Sequence, residues 1–457
     1  MHAMPSSVRS EARELLRLAV PIMLTQLSMM SLGVVDLLMV GRLGRDAVGA
    51  VALGNIVKVG TAMVAMGLVL GIDPFIAQAH GARDARAVAL ALQRGIVIAV
   101  LASLPVALLW LFAEPLLVAS GQDPAVSAVA HDYVLVQLPS IPLFLAYSAL
   151  RQYLQGRGIL RPALLTALGA NVLNVALNWI FIWGHFGAPA LGAVGSGVAT
   201  SIVQAAMPVL LIALIRAGKL HAGAWVPWSA AAFEPRALLA ILKVGAPQGA
   251  HFAAEIWGFQ IAGLWAGMLG TAELAANSIV LNLASLSFML PLGVGLAAVT
   301  RVGNLMGERR AQDAQTASWA ALALGGALMA VCAVLFWVLR VELPSWYTSD
   351  EAVIALAAAS MPVAAAFQLF DGLQVVASGV LRAIGTTLPT AIANLLGYYA
   401  LGLPLGWWLT FRRDMGLPGL WWGVALGVAA VAVALVVWIA LRGPAKHAAL
   451  LDATRES

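Results

Sequence analysis

Charge is the scarcest commodity in this 457-residue chain: Asp, Glu, Lys and Arg make up 10% of it, against 61% hydrophobic residues. Soluble globular domains carry about 25% charged residues, so water is not the main solvent of this fold. Cysteine occurs once, at Cys332 inside an apolar run, which excludes an internal disulfide. No Cys/His cluster has the spacing of a metal site. The phosphate-cradling pattern GxxxxGK[ST] is missing, so nucleotide hydrolysis is not the expected energy source. Regular polar–apolar alternation is missing as well, and a transmembrane β-barrel needs it in every strand.

What remains is a series of apolar runs of about twenty residues, such as 87–112, 198–215 and 421–441. Each is long enough to cross a hydrocarbon core of about 30 Å as a helix. The runs predict an all-α integral membrane protein with spans near 16–41, 47–72, 87–112, 132–154, 160–183, 191–215, 238–268, 274–300, 315–340, 352–380, 387–410 and 418–441. The basic, polar start (Arg9, Arg13, Arg17) leads into the first run without an obvious cleavage site. That run therefore reads as a first helix and not a signal peptide.

With the amino terminus inside, 20 of the 26 basic residues fall on the cytoplasmic side. Arg42, Arg45, Arg340, Arg412 and Arg413 fall outside, and Lys58 lies within a span. This positive-inside asymmetry places both termini in the cytoplasm and makes the net charge of +5 a matter of topology, with no nucleic acid as partner.

The chain also repeats. A shift of 226 aligns Pro21 with Pro247, Gly41 with Gly267, Leu43-Gly44 with Leu269-Gly270, Gly81 with Gly307, and Gly197-Val198-Ala199 with Gly423-Val424-Ala425. A shift of 227 aligns Gly158 with Gly385 and Pro162 with Pro389. The expected architecture is twelve transmembrane helices as two six-helix repeats of like orientation around a central cleft. An amino-terminal lobe over 1–218 and a carboxy-terminal lobe over 237–457 are joined by a cytoplasmic linker at 219–236. Two matched lobes suit alternating access better than a fixed pore.

Nearly all 21 acidic residues fall in loops or at helix ends. Asp36, Glu255 and Asp371 do not. A carboxylate deep in a span costs about 2.5–3.5 kcal/mol on insertion scales, so a role usually retains it. The plain alternative is an interfacial position or a structural pairing, as Arg42 could provide for Asp36. The repeat places Ala262, Met29 and Leu145 opposite Asp36, Glu255 and Asp371, so the acids break a symmetry that architecture alone would keep.

Asn171, Asn174 and Asn178 are spaced to share one face of the fifth helix, with Ser196 and Thr200 four apart on the sixth. Such groups can simply bond across helices in lipid. Beside a carboxylate, they also resemble a shell for a small monovalent cation. Asp46 and Glu273 occupy first-turn positions that favour the helix dipole. Met29, Met30, Met289 and Met361 either pack or line an adaptable cavity.

The stretches LAVPIMLTQLSMMSLGVVDLLMVGRLG (18–44), GIDPFIAQAHGA (71–82), LNLASLSFMLPLGVGLAAVTRVGNLMGE (281–308) and FDGLQVVASGVLRAIGTT (370–387) resemble the multidrug and toxic compound extrusion family. Glu255 and Asp371 point to its NorM-type bacterial subgroup. The resemblance implies a secondary active antiporter of the bacterial inner membrane. It would export organic cations and amphipathic drugs against sodium ions or protons, with no cofactor beyond that coupling ion, as a monomer in lipid. Carried over residue by residue, it implies an amino-lobe cation site, for sodium, at Asp36, Asn174, Asn178 and Thr200, and a carboxy-lobe site at Glu255 and Asp371. Substrate contacts would come from Asp36, Glu255, Asp371, Phe288 and Met30. Phe288 stands where some relatives carry a tyrosine. A flippase for a lipid-linked precursor and a membrane-embedded enzyme are the rival readings. The first should line its cleft with Arg, and the second should cluster His, Cys or Asp at one interface; neither pattern is present.

Overall fold

The computed structural model describes residues 7–456; residues 1–6 and 457, the extreme ends of the two expected lobes, lie outside that range. Among the described residues there is no strand, only helices and their connections. Backbone groups in lipid must find partners within the chain, and a helix satisfies them inside one segment.

Twelve long helices follow one another: α1 (Val8–Val40), α2 (Asp46–Gly81), α3 (Ala85–Leu111), α4 (Pro124–Gly156), α5 (Arg161–Trp183), α6 (Gly192–Ala217), α7 (Pro235–Leu269), α8 (Thr271–Gly307), α9 (Ala311–Val338), α10 (Glu351–Ala383), α11 (Leu388–Arg412) and α12 (Gly416–Arg442). A shorter α13 (Pro444–Glu456) follows. Eleven of the twelve are long and apolar enough to span a membrane. The remaining one, α7, has the length, but Gln248, His251, Glu255 and Gln260 dilute its apolar face.

Several helices overrun the spans expected from hydropathy, as α4 does by starting at Pro124. An apolar run marks the membrane core, whereas a helix continues as far as its caps allow. Asp84, Asp123 and Asp350 accept hydrogen bonds from backbone N–H groups of the first turns of α3, α4 and α10, at 2.8–3.3 Å, satisfying donors the helices leave orphaned.

The repeat is written into the backbone as well as the sequence. Gly44 and Gly270, 226 apart, both precede the second helix of a half with positive φ, at 109° and 159°. Gly158 and Gly385 match at 72° and 74°, and even two arginines, Arg83 and Arg309, match at 57° and 61°. Positive φ is uncommon for a side chain of that size, so the Arg83–Arg309 match shows one turn used twice. Packing repeats too: α4 lies against α2, α3 and α6, and α10 against α8, α9 and α12.

The chain forms two compact units. One runs from Leu24 to Gly249; the other takes the chain from Ala250 onward together with the segment ending at Met23. Both divisions fall two residues after a helix-interior proline, Pro21 in α1 and Pro247 in α7. Each proline removes one backbone hydrogen bond from its helix ladder just ahead of the division.

Candidate functional site

In the Leu24–Gly249 unit, the site grows from α1. Asp36 is 4% exposed, with Asn174, Asn178 and Thr200 buried around it. One carboxylate oxygen, Oδ1, accepts from Asn174 Nδ2 at 3.0 Å and from Asn178 Nδ2 at 2.7 Å. The other, Oδ2, accepts from Thr200 Oγ1 at 2.7 Å. The i, i+4 spacing on α5 delivers both amides to one spot, while α6 supplies the hydroxyl from a third helix. Three short donors hold the carboxylate in one orientation.

Asn171 belongs to the same face but not to the same cluster. Its amide donates to Ser28 O and Oγ at 2.7 and 2.8 Å, two turns earlier along α1. Contacts that advance together, 28 with 171 and then 36 with 174 and 178, show α1 and α5 running parallel. Ser196 is buried one turn from Thr200, and its hydroxyl has no hydrogen-bond partner among the described residues. The amide oxygens of Asn174 and Asn178 are likewise buried and unpartnered, although buried polar atoms ordinarily find a partner. Unsatisfied neutral oxygens beside one carboxylate are the donor set of a small hard cation. Arg42 is exposed and makes no ion pair with Asp36 among the described residues.

In the other unit, α7 carries Glu255 and, one turn before it, His251, with Nε2 3.5 Å from Glu255 Oε2. The imidazole is 3% exposed. Asp371, buried on α10 with Oδ1 unpartnered, lies within electrostatic range of Glu255. Tyr398 on α11 is close enough to feel both carboxylates, and its buried hydroxyl has no partner among the described residues. Around Asp371, one turn to either side on α10, are two buried amides, Gln368 and Gln374. Gln374 Nε2 donates to Asn394 Oδ1 at 2.6 Å.

The structure therefore brings the expected residues into two groups, Asp36 with Asn174, Asn178 and Thr200, and Glu255 with Asp371. Met30 and Phe288 are half-buried, one in each unit.

Sequence reasoning missed His251, Gln374, Asn394 and Tyr398. His251 was within reach of it, being a titratable residue one helical turn from a mid-span acid. Tyr398 was not, because its approach depends on α11. That helix contains π-helical turns at Leu396–Gly402 and Trp408–Arg412, which re-aim side chains and recur at functional sites.

The MatE family profile matches the chain twice, over residues 21–180 and 247–408, so each half bears the family pattern, beginning at the aligned prolines. The chain is 36% identical over 440 residues to "Probable multidrug resistance protein NorM" of Rhodopseudomonas palustris, covering 95% of this chain and 93% of that one. It is 31% identical to "Multidrug resistance protein NorM" of Photobacterium profundum, covering 94% and 96%. It is 32% identical to "Multidrug and toxin extrusion protein 1" of Danio rerio, covering 92% and 70%. Its fold superposes on the eukaryotic MATE transporter AtDTX14 with a TM-score of 0.90 at 24% identity, covering 97% and 98%. The Vibrio cholerae MATE transporter VcmN gives a TM-score of 0.86 at 21% identity, covering 95% and 98%.

Proposed function

Because the chain belongs to the MatE family of multi-pass membrane transporters, we propose that it is a secondary active antiporter exporting organic cations and amphipathic drugs in exchange for sodium ions. The two repeats, 1–218 and 237–457 with 219–236 as linker, alternate access across the bacterial inner membrane, with both termini cytoplasmic. The observation that carries the reading is Asp36, a mid-membrane carboxylate enclosed by neutral groups from two other helices.

Exchange follows from competition for negative charge. An outbound organic cation and an inbound inorganic cation both seek Asp36, Glu255 and Asp371, and the gradient of the smaller ion decides which leaves. At Asp36, rotating both amides by half a turn presents each Oδ1 in place of Nδ2. Asn174 Oδ1, Asn178 Oδ1, Thr200 Oγ1 and the carboxylate are then four oxygen-bearing groups able to replace a sodium ion's hydration shell. A proton needs only a titratable acid, so these amides support sodium. The second reading, a proton in sodium's place, is supported by the grouping of Glu255, Asp371 and His251, three titratable side chains in one unit.

Efflux of a fluorescent cation from proteoliposomes, with sodium and pH gradients imposed separately, tests both. Transport driven by sodium at fixed pH supports the first reading. Transport driven by a pH gradient alone, indifferent to sodium, overturns it.

A further inference from the structure

Lys58 is used by neither cluster. It lies within α2, twelve residues after the start of that helix at Asp46, and is half-buried. A cationic side chain at that depth is costly and marks a pathway or a partner. Yet its nitrogen meets only neutral groups. It donates to Tyr133 Oη at 3.4 Å and to Gln137 Oε1 at 3.3 Å, and stands 5.5 Å from the centre of the Tyr133 ring. No carboxylate lies within ion-pair distance of it among the described residues.

The cradle is rigid although the bonds to it are long. Tyr133 and Gln137 are fully buried. Gln137 Nε2 donates to Tyr133 O at 2.8 Å, and the Tyr133 hydroxyl donates to Asn55 Oδ1 at 3.4 Å. Bonds of 3.3–3.4 Å lie beyond the usual range for N–H···O. An ammonium group has three donors, so Lys58 is aimed by its neighbours while keeping its hydrogen-bonding capacity for a shorter, charged acceptor.

A seam of polar groups connects it with the acid of the same unit. Gln137 O accepts from Ser140 Oγ at 2.7 Å, and Ser140 Oγ also meets Gln204 Oε1 at 2.7 Å. Gln204 is one turn along α6 from Thr200, which holds Asp36. One seam thus carries a negative pole at Asp36 and a positive pole at Lys58.

Resting on the export reading above, we propose that Lys58 is the group that meets the carboxylate of cargo carrying an acid beside its amine, and so sets how such molecules are favoured over simple cations. The ammonium–carboxylate contact is a charge-assisted hydrogen bond that an ester of the same molecule cannot make.

The experiment uses a matched pair of dyes, a rhodamine with a free benzoate and the same rhodamine as its ethyl ester, exported from proteoliposomes holding the full chain. Lys58→Met is expected to raise the half-saturating concentration of the acid about tenfold relative to the ester. Lys58→Arg should bring that ratio back to within about threefold, and Tyr133→Phe, which removes one aiming contact, should shift it by about twofold. Equal shifts for acid and ester, or a change confined to ion dependence, overturn the proposal. If the wild-type chain exports neither dye, the export reading fails. Equilibrium binding of the two dyes to purified protein, read as the same ratio, then still decides the role of Lys58, and Lys58→Gln serves if Lys58→Met does not fold.

Discussion

Asp36 and Asp371 are equally buried, at 4% exposure each, but their surroundings differ. Asp36 receives three hydrogen bonds of 2.7–3.0 Å from neutral donors. Asp371 leaves Oδ1 unpartnered and shares its neighbourhood with a second acid, Glu255, which has His251 at 3.5 Å. The two halves match at individual positive-φ residues, but α11 contains π-helical turns that its repeat partner α5 lacks, so the difference lies in the side chains and in that one helix. In the proposed exchange, a single carboxylate among fixed dipoles suits one small ion. Two carboxylates, one with an unpartnered oxygen, leave negative charge that a larger organic cation can meet in that exchange.

The largest expected effect separates the two groups at once. Glu255→Gln or Asp371→Asn should reduce drug efflux to background while leaving membrane insertion intact. Resistance of cells expressing either variant at matched protein level checks this, and normal resistance would erase the distinction drawn for the carboxy-terminal group. Asp36→Asn should abolish the release that sodium triggers, read as drug efflux from proteoliposomes under a sodium gradient at fixed pH. Next in size, Asn178→Ala should weaken sodium dependence about tenfold, more than it weakens drug affinity, because the carboxylate survives while one of the proposed oxygen ligands is lost. Titrating sodium at fixed pH measures it, and equal losses in both quantities would break the comparison.

Stability tests the sameness of the scaffolds. A Cβ at Gly423 would collide with the backbone of Gly406, and one at its repeat partner Gly197 would lie 2.7 Å from Tyr133 O. Each Gly→Ala change should therefore cost about 1–3 kcal/mol by overpacking, read as a lowered melting temperature in detergent. A loss at only one position would show that the halves pack differently there. The smallest effect is expected at Asn171, whose contacts are with Ser28 and its own helix. Asn171→Ala should cost about 0.6 kcal/mol, the average for a hydrogen bond between helices in lipid, with unchanged sodium dependence. A change in sodium dependence would place Asn171 in the ion site.

Much of this was open to sequence reading because it follows from local rules. Apolar length fixes that the chain crosses the membrane many times. The 226-residue offset fixes two halves, and the cost of a charge in lipid singles out Asp36, Glu255 and Asp371. Helical spacing also puts Asn174 and Asn178 side by side on α5. Spacing could not decide which neighbour each amide meets: Asn171 shares their face yet bonds Ser28, because contacts between helices depend on how far one helix has slid along the other. Nor could it bring Tyr398 near Glu255 and Asp371, or join Lys58 to Gln137 and Ser140. Those juxtapositions arise from side chains more than twenty residues apart in the chain, and only the packing of whole helices determines them.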